Sequence, residues 1–415
     1  KKHSLSIFDP LPNRKFMQVI EVNDQIGIEL FHAVAIEQYR DDNNYVAPLR
    51  MELENMFDPQ KNSLFQNAEA IRWVVSTDDG QLLGRIAAFV DFQKTGKDKL
   101  PTGGIGFFVC HNNQPTADLL FDTAKDWLEE RRCKAMDGSI NFGENFVNWG
   151  VLVEGFVPQG YGMPYNKPYY RDLFEAYGFK DYYQQFSYHV DMNKPFPARM
   201  VKFAEYLETR PGYTFEHYSK KKSKKFIPDF VRILNKTWSD YMEGFVDLKE
   251  ADLAQVLESA QSIIVDDFIW FAYKDGEPIG VTVAFPDVNQ ILKHFNGRLN
   301  YLQALKFLYL KKRKTITRNR VFLAGVIPEY QNSGVISALF LQFVRSMKKR
   351  PEYTEMELSW VADYNPRMIK MYEQIGGVQM KKHITFRYLF DQNATFQRFS
   401  NEQGNSSLRK HVKSN

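Results

Sequence analysis

Gln331-Asn332-Ser333-Gly334-Val335-Ile336 stands between an apolar run ending at Ile327 and a stretch in which Ile336, Phe340, Phe343, Val344 and Met347 share one helical face. A junction of this kind can hold an anion such as a pyrophosphate. The first turn of a helix leaves backbone N–H groups unpaired, and the macrodipole adds partial positive charge there. Gly334 lets the backbone approach phosphate oxygens that a side chain would hold away. Taken alone, the hexapeptide is equally an ordinary strand-to-helix turn, so the surrounding elements must decide.

Those elements occur twice. Asp79-Gly80 and Asp275-Gly276 open matching segments that run to Asp91 and Asp287, each preceded by an apolar run, and Asp-Gly is a strong hairpin signal. Leu173–Phe179 matches Met371–Gly377, a short amphipathic helix ending at a glycine, and a strand-like run follows each. Gly106–Val109 matches Gly325–Pro328, each leading into a long helix; in the first copy Ala117, Leu120, Phe121, Ala124, Trp127 and Leu128 share its apolar face. The order of elements implies a tandem duplication of one α/β unit, joined near Asn193 to Arg210. The expected division is 1–195, 196–392 and a polar tail, 393–415, each domain being a mixed β-sheet flanked by helices.

Composition narrows the class. With 415 residues and 44% hydrophobic content, two or three well-packed domains are expected. No run of 18 apolar residues and no secretory pattern appears, and two cysteines, Cys110 and Cys133, make neither a disulfide framework nor a zinc cluster. The expectation is a cytoplasmic protein without a metal. A balance of 54 Lys+Arg against 50 Asp+Glu is too mild to argue for nucleic acid.

Both halves resemble the GCN5-related N-acetyltransferase (GNAT) fold. The loop at 331–336 is similar to the family's Gln/Arg-x-x-Gly-x-Gly/Ala motif, with Ile336 departing at the last position. Asn365, Pro366, Tyr372, Glu373 and Gly376 match its downstream Asn-x-x-Ala-x-x-x-Tyr-Glu-x-x-Gly segment, with Met368 departing. The resemblance implies α/β (α+β) architecture with two tandem GNAT-like domains, and acetyl-CoA or a longer acyl-CoA as co-substrate. The amides of Gln331, Asn332, Ser333, Gly334, Val335 and Ile336 would hold the pyrophosphate, and Asn365 would meet the pantetheine arm. The Val326 N–H would polarise the thioester carbonyl and Tyr372 would protonate the departing thiolate. The first copy has Pro115 where the alignment puts Gly334 and Phe174 where it puts Tyr372, so one CoA site is expected, in the second half.

Offsets between matched segments, 196 at the hairpins (275 − 79), 219 at the central strands (325 − 106) and 198 at the last helices (376 − 178), locate about twenty extra residues in each half. In the first half they lie between Asp137 and Tyr169, a Gly/Asn/Pro/aromatic stretch that is either a packed loop or a ligand-binding surface; Glu154, Asn145, Tyr165 and Asn166 are its candidate acceptor-side residues. In the second half they lie between Asp287 and Arg320. There, Leu302, Leu305, Phe307, Leu308, Tyr309 and Leu310 precede Lys311-Lys312-Arg313-Lys314. Segment 301–314 is either a helix packed on the sheet with a solvated basic end, or the rim of an anionic bilayer or of an acyl-chain channel. Val153–Phe156 and Tyr165–Tyr170 also resemble a signature of double-length bacterial GNAT proteins, some linked to ceramide-type N-acylation of long-chain bases.

The expected activity is direct acyl transfer from CoA to a small-molecule or lipid amine, in the cytoplasm or peripherally at the inner membrane. A tandem-GNAT aminoacyl transferase of cell-wall precursors and a non-catalytic acyl-CoA-binding protein are the alternatives. Glu329, Glu357, Asp363, Glu154 and Glu144 are the carboxylates that could serve as base.

Overall fold

The computed structural model describes residues 17–96, 100–142, 150–238 and 247–400. The chain forms two compact units, each a mixed sheet with helices.

Among the described residues, unit 1 comprises those within 17–151, 164–181 and 385–396. Its strands β1 (Met17–Glu21), β2 (Ala68–Thr77), β3 (Leu82–Asp91), β4 (Thr102–Cys110) and β5 (Ala135–Gly138) lie in that order. The first four are antiparallel neighbours and β4 pairs with β5 in parallel. The Gln114–Glu130 helix covers the sheet with Ala117, Leu120, Phe121, Ala124 and Leu128 buried.

Among the described residues, unit 2 comprises those within 152–163, 182–384 and 397–400. Its strands are β6 (Val151–Glu154), β7 (Lys180–Asp191), β8 (Tyr213–His217), β9 (Ile269–Lys274), β10 (Glu277–Pro286), β11 (Arg318–Val326), β12 (Glu355–Ala362) and β13 (Val378–Leu389). Most lie in the order β7-β12-β11-β10-β9-β8, with only β11 and β12 parallel, while β6 pairs with β13. Each unit is therefore completed by chain from the other half. Phe386–Leu389 at the end of β13 pairs with β5 in unit 1, and β7 pairs with β12 in unit 2.

Both expected hairpins form. Gly80, Asp275 and Gly276 all adopt positive φ, the left-handed conformation a tight hairpin turn requires. Gly178 caps its helix in the same region, at φ 112°.

Behind the unit 1 sheet, Glu54 accepts from both Arg72 Nη1 and Nη2, at 2.8 and 2.9 Å, and contacts His32 Nε2 at 2.8 Å. Burial pushes the Glu54 carboxyl up, but the His32 and Arg72 contacts outweigh it and hold the group at about 2 against an ordinary 4.5. Burial also lowers His32 from 6.5. In both cases the unfolded chain binds protons more readily, so stability falls with pH: first below 6.5 through His32, then between 4.5 and about 2 through Glu54. Glu54→Gln should flatten the acid limb below pH 4.5 in thermal unfolding followed by circular dichroism. An unchanged limb would show that this cluster does not set acid stability.

Candidate active site

β11 and β12 pair only from Arg318↔Glu355 to Val321↔Leu358, although β11 continues to Val326 and β12 to Ala362. The two central strands thus splay. On the other edge of β11, Ile327 N–H donates to Ile279 O at 3.0 Å, which makes Gly280↔Val326 the non-hydrogen-bonded pair of the antiparallel ladder. The polar groups of Val326 therefore point away from β10, into the splay. Its carbonyl accepts from Gln331 Nε2 at 3.3 Å, and no hydrogen bond among the described residues takes its N–H.

Beyond Val326 the chain makes a short 3₁₀ turn, Pro328–Tyr330, and enters the Val335–Lys348 helix. Asn332 and Gly334 both have positive φ, 69° and 86°, which turns the chain sharply onto the helix. Gly334 is the N-cap, and no side chain caps the first turn. The N–H groups of Val335, Ile336 and Ser337 have no backbone acceptor among the described residues. The half-exposed ring of Phe203 lies over Gly334: a Cβ there would stand 1.9 Å from Phe203 Cε1. Ser333 is tied back to Tyr330 O by its hydroxyl at 2.6 Å.

Tyr372, in the Pro366–Gln374 helix, is buried and meets Tyr188 edge-on at 5.5 Å. Its hydroxyl makes no hydrogen bond among the described residues, and burial raises its pKa, so the phenol stays protonated. Asn365 caps that helix: its side-chain oxygen accepts from Met368 N at 3.2 Å.

Unit 1 supplies the comparison. The register pairs Gly84 with Cys110 as it pairs Gly280 with Val326, so the central strands are offset by 216 (326 − 110). Matching by residue identity, at 219, was three positions out, and the counterpart of Val326 is Cys110. The Cys110 N–H donates to the Tyr170 hydroxyl at 3.0 Å, and Cys110 O accepts from Tyr169 Oη at 2.9 Å and Gln38 Nε2 at 3.3 Å. Tyrosines fill the position that is open at Val326. The loop differs too: residues 111–113 link β4 to its helix, whereas 327–334 link β11 to its own. Asn113, the N-cap there, accepts from Thr116 N and Thr116 Oγ1 at 2.9 and 2.8 Å, occupying its own helix terminus. Pro115 is the second residue of that helix, so the position matching Gly334 belongs to Asn113 instead. Phe174 is fully buried among Phe108, Phe121 and Phe179.

A second feature of unit 2 surrounds Glu357, which the sequence offered only as a candidate base and which the structure holds buried in an ion cluster. Glu357 and Asp287 are fully buried, as are the side chains of Arg318, Arg320 and Lys381 almost entirely. Lys381 Nζ donates to both Glu357 oxygens at 3.0 Å, Arg318 Nη1 lies 3.7 Å from Glu357, and Arg318 Nε donates to Asp287 at 2.7 Å. Segment 152–163 closes over them. Tyr161 N–H donates to Asp287 at 2.8 Å, Arg318 Nη2 reaches Pro158 O at 3.3 Å, Arg320 donates to Tyr161 O, and a Cβ on Gly160 would lie 3.2 Å from Glu357.

The acceptor-side residues fall in different units. Glu154 is in unit 2, exposed and 3.2 Å from Lys382. Tyr165 and Asn166 are in unit 1, where Tyr165 Oη donates to Asp42 at 3.1 Å and Asn166 donates to Lys167 O. Asn145 and Glu144 lie outside the described residues. The remaining carboxylates are paired: Glu329 with Lys236 at 3.7 Å and Asp363 with Arg398 at 2.7 Å. Among the described residues no group of His, Cys, Asp or Glu is placed to hold a metal ion.

The acetyltransferase (GNAT) family model matches residues 229–377, the stretch that carries the splay, the loop and Tyr372. A solved tandem GNAT protein from the clavulanic acid biosynthesis pathway superposes with a TM-score of 0.54 at 11% identity, covering 91% of this chain and all of that one. The second half of the chain is similar to the GNAT family, and its fold is that of tandem GNAT proteins. Curated relatives of similar length are similar over most of the chain. It is 28% identical over 382 residues to a bacterial ceramide synthase of Caulobacter vibrioides, covering 89% of this chain and 97% of that protein. It is 27% identical over 366 residues to protein YghO of Escherichia coli, covering 86% and 91%.

Proposed function

We propose that unit 2 binds acyl-CoA and transfers the acyl group directly to the amine of a long-chain lipid acceptor. The observation that carries this reading is the internal contrast: among the described residues the N–H of Val326 and the first-turn amides after Gly334 have no hydrogen-bond acceptor, while their unit 1 counterparts are taken by Tyr170 and Asn113. Acyl-CoA supplies an activated thioester. Of the amides of 331–336, those of Gln331 and Ser333 already donate to Pro328 O and Tyr330 O, so its pyrophosphate would meet those of Asn332, Gly334, Val335 and Ile336, where the dipole favours negative charge and the Phe203 ring forms one wall. Asn365 lies at the pantetheine side in the order of the family motif.

Val326 N–H is oriented to donate to the thioester oxygen as charge grows there. The neutral amine nitrogen forms the new C–N bond, the C–S bond breaks and the departing sulfur takes the proton of Tyr372, while the proton shed by the nitrogen passes to solvent and the Tyr372 phenolate is reprotonated from solvent. A phenol kept neutral by burial is ready for that transfer. Neither Cys110 nor Cys133 lies in unit 2, which favours direct transfer over an acyl-cysteine intermediate. The name of the ceramide synthase relative supports a long-chain lipid amine as acceptor, and the donor loop supports residues 196–392 as the catalytic half.

The test is thiol release from acyl-CoA series in the presence of long-chain bases. Wild-type protein should release CoA and form the amide, and Tyr372→Phe should lower kcat by about a hundredfold with little change in KM for acyl-CoA. Because the Tyr372 hydroxyl makes no hydrogen bond among the described residues, the variant should fold normally. Full activity in Tyr372→Phe would remove the proton-donor role; no CoA binding by folded wild-type protein would remove the reaction.

A further inference from the structure

The Tyr301–Lys312 helix starts at a capping box, Asn300 with Gln303, and touches the protein through one side only, where Phe307 is buried. Its other side is apolar and open to solvent: Tyr301 is 77% exposed, Leu302 74%, Leu305 48%, Leu308 56% and Tyr309 59%. At 100° per residue these five positions span about 120° of the helix, one continuous stripe. Leu299, also exposed, extends it. A packed helix would have buried this stripe, which is wide enough to need an explanation.

The charge around it has one sign. Between Val288 and Pro328 the sequence has nine Lys and Arg and no Asp or Glu. Lys311 turns inward to Ser262 O, and Lys314 pairs with Glu352 at 3.2 Å. Arg298, Lys306, Lys312 and Arg313 are exposed with no ion pair among the described residues. Apolar and aromatic side chains ringed by unpaired cations suit a surface that is apolar below and anionic at its face. Among the described residues no helix is long and apolar enough to cross a membrane.

We propose that the Tyr301–Lys312 face docks on the surface of an anionic phospholipid bilayer, with Leu302, Leu305 and Leu308 in the acyl boundary and Lys312 and Arg313 at the headgroups. The inference stands on the surface alone. It would place an enzyme acting on a lipid amine where such an acceptor resides, yet its readout does not depend on that reaction.

The experiment is co-sedimentation of the full chain with vesicles of phosphatidylglycerol in phosphatidylcholine and with phosphatidylcholine alone. Binding is expected to the anionic vesicles, weakening as salt rises. Leu302→Asp with Leu305→Asp should reduce it at least about tenfold, and Lys312→Glu with Arg313→Glu by a similar factor, with unchanged melting temperatures. No binding to either vesicle, or binding that both variants retain, overturns the proposal. So does a wild-type dimer in analytical ultracentrifugation that Leu302→Asp with Leu305→Asp converts to monomer, since the face would then belong to a second copy.

Discussion

Glu357→Gln is expected to destabilise the protein by about 3–5 kcal/mol, the range for removing one member of a buried ion pair. Glu357 is fully buried and accepts twice from Lys381, with Arg318 beside it. Its loss leaves Lys381, Arg318 and Arg320 in the interior with Asp287 as the fully buried carboxylate that remains beside them. The pH dependence provides a signed check. Burial already lowers the pKa of Lys381 below 10.5, and removing the carboxylate lowers it further. A lysine held below its unfolded pKa makes the unfolded state bind more protons, so the variant should regain stability as pH rises towards 10.5. Urea unfolding at pH 7 and pH 9.5 measures both effects. Lys381→Met combined with Glu357→Leu should recover much of the loss, because apolar pairs replace buried ion pairs at little cost. A Glu357→Gln midpoint equal to wild type at both pH values would mean that the cluster is not a stability determinant.

Gly334→Glu is expected to lower CoA affinity by more than about a hundredfold. A carboxylate at the N-cap would take the free amides of the first turn for itself and repel the pyrophosphate. It would also force a side chain into φ 86°, against the ring of Phe203. Gly334→Ala separates these effects: it keeps the backbone strain and the contact with Phe203, but adds no charge, and should lose far less. Isothermal titration with CoA gives the affinities and thermal melting confirms folding. Equal affinity in wild type and Gly334→Glu would remove the loop from the donor site.

The order of elements was legible in the chain because its signals are local. Asp-Gly turns, the glycine at Gly178 and the helical stripe of Phe340 and Phe343 each act over a few residues. Register was not. β4 and β11 both bulge against their hairpin partners, and identity matching of Gly106 to Gly325 slipped by three because it cannot see pairing. The tyrosine at 170 that closes the Cys110 N–H was therefore visible only as part of a loop signature. Nor could alternation reveal the charged cluster. Arg318 and Arg320 on one side of a strand look like a solvated face, and their partners Asp287, Glu357 and Lys381 are 31 to 63 residues away from Arg318 (318 − 287, 381 − 318), with segment 152–163 farther still. The exposed stripe of Tyr301–Lys312 left two readings open, since sequence alone does not say which side of an apolar helix is covered.

The exchanged segments bear on how the chain can fold as it is made. β5 in unit 1 has to wait for Phe386–Leu389, so its edge stays unpaired until almost the entire polypeptide has left the ribosome. Unit 2 has the opposite timing: segment 152–163 and β7 are synthesised early and remain without β12 and β13 until the end. A stop codon at residue 196 would leave one half with an open strand edge, and a start at 196 would leave the other with its buried charges uncovered. Neither half should accumulate as a folded protein when expressed by itself.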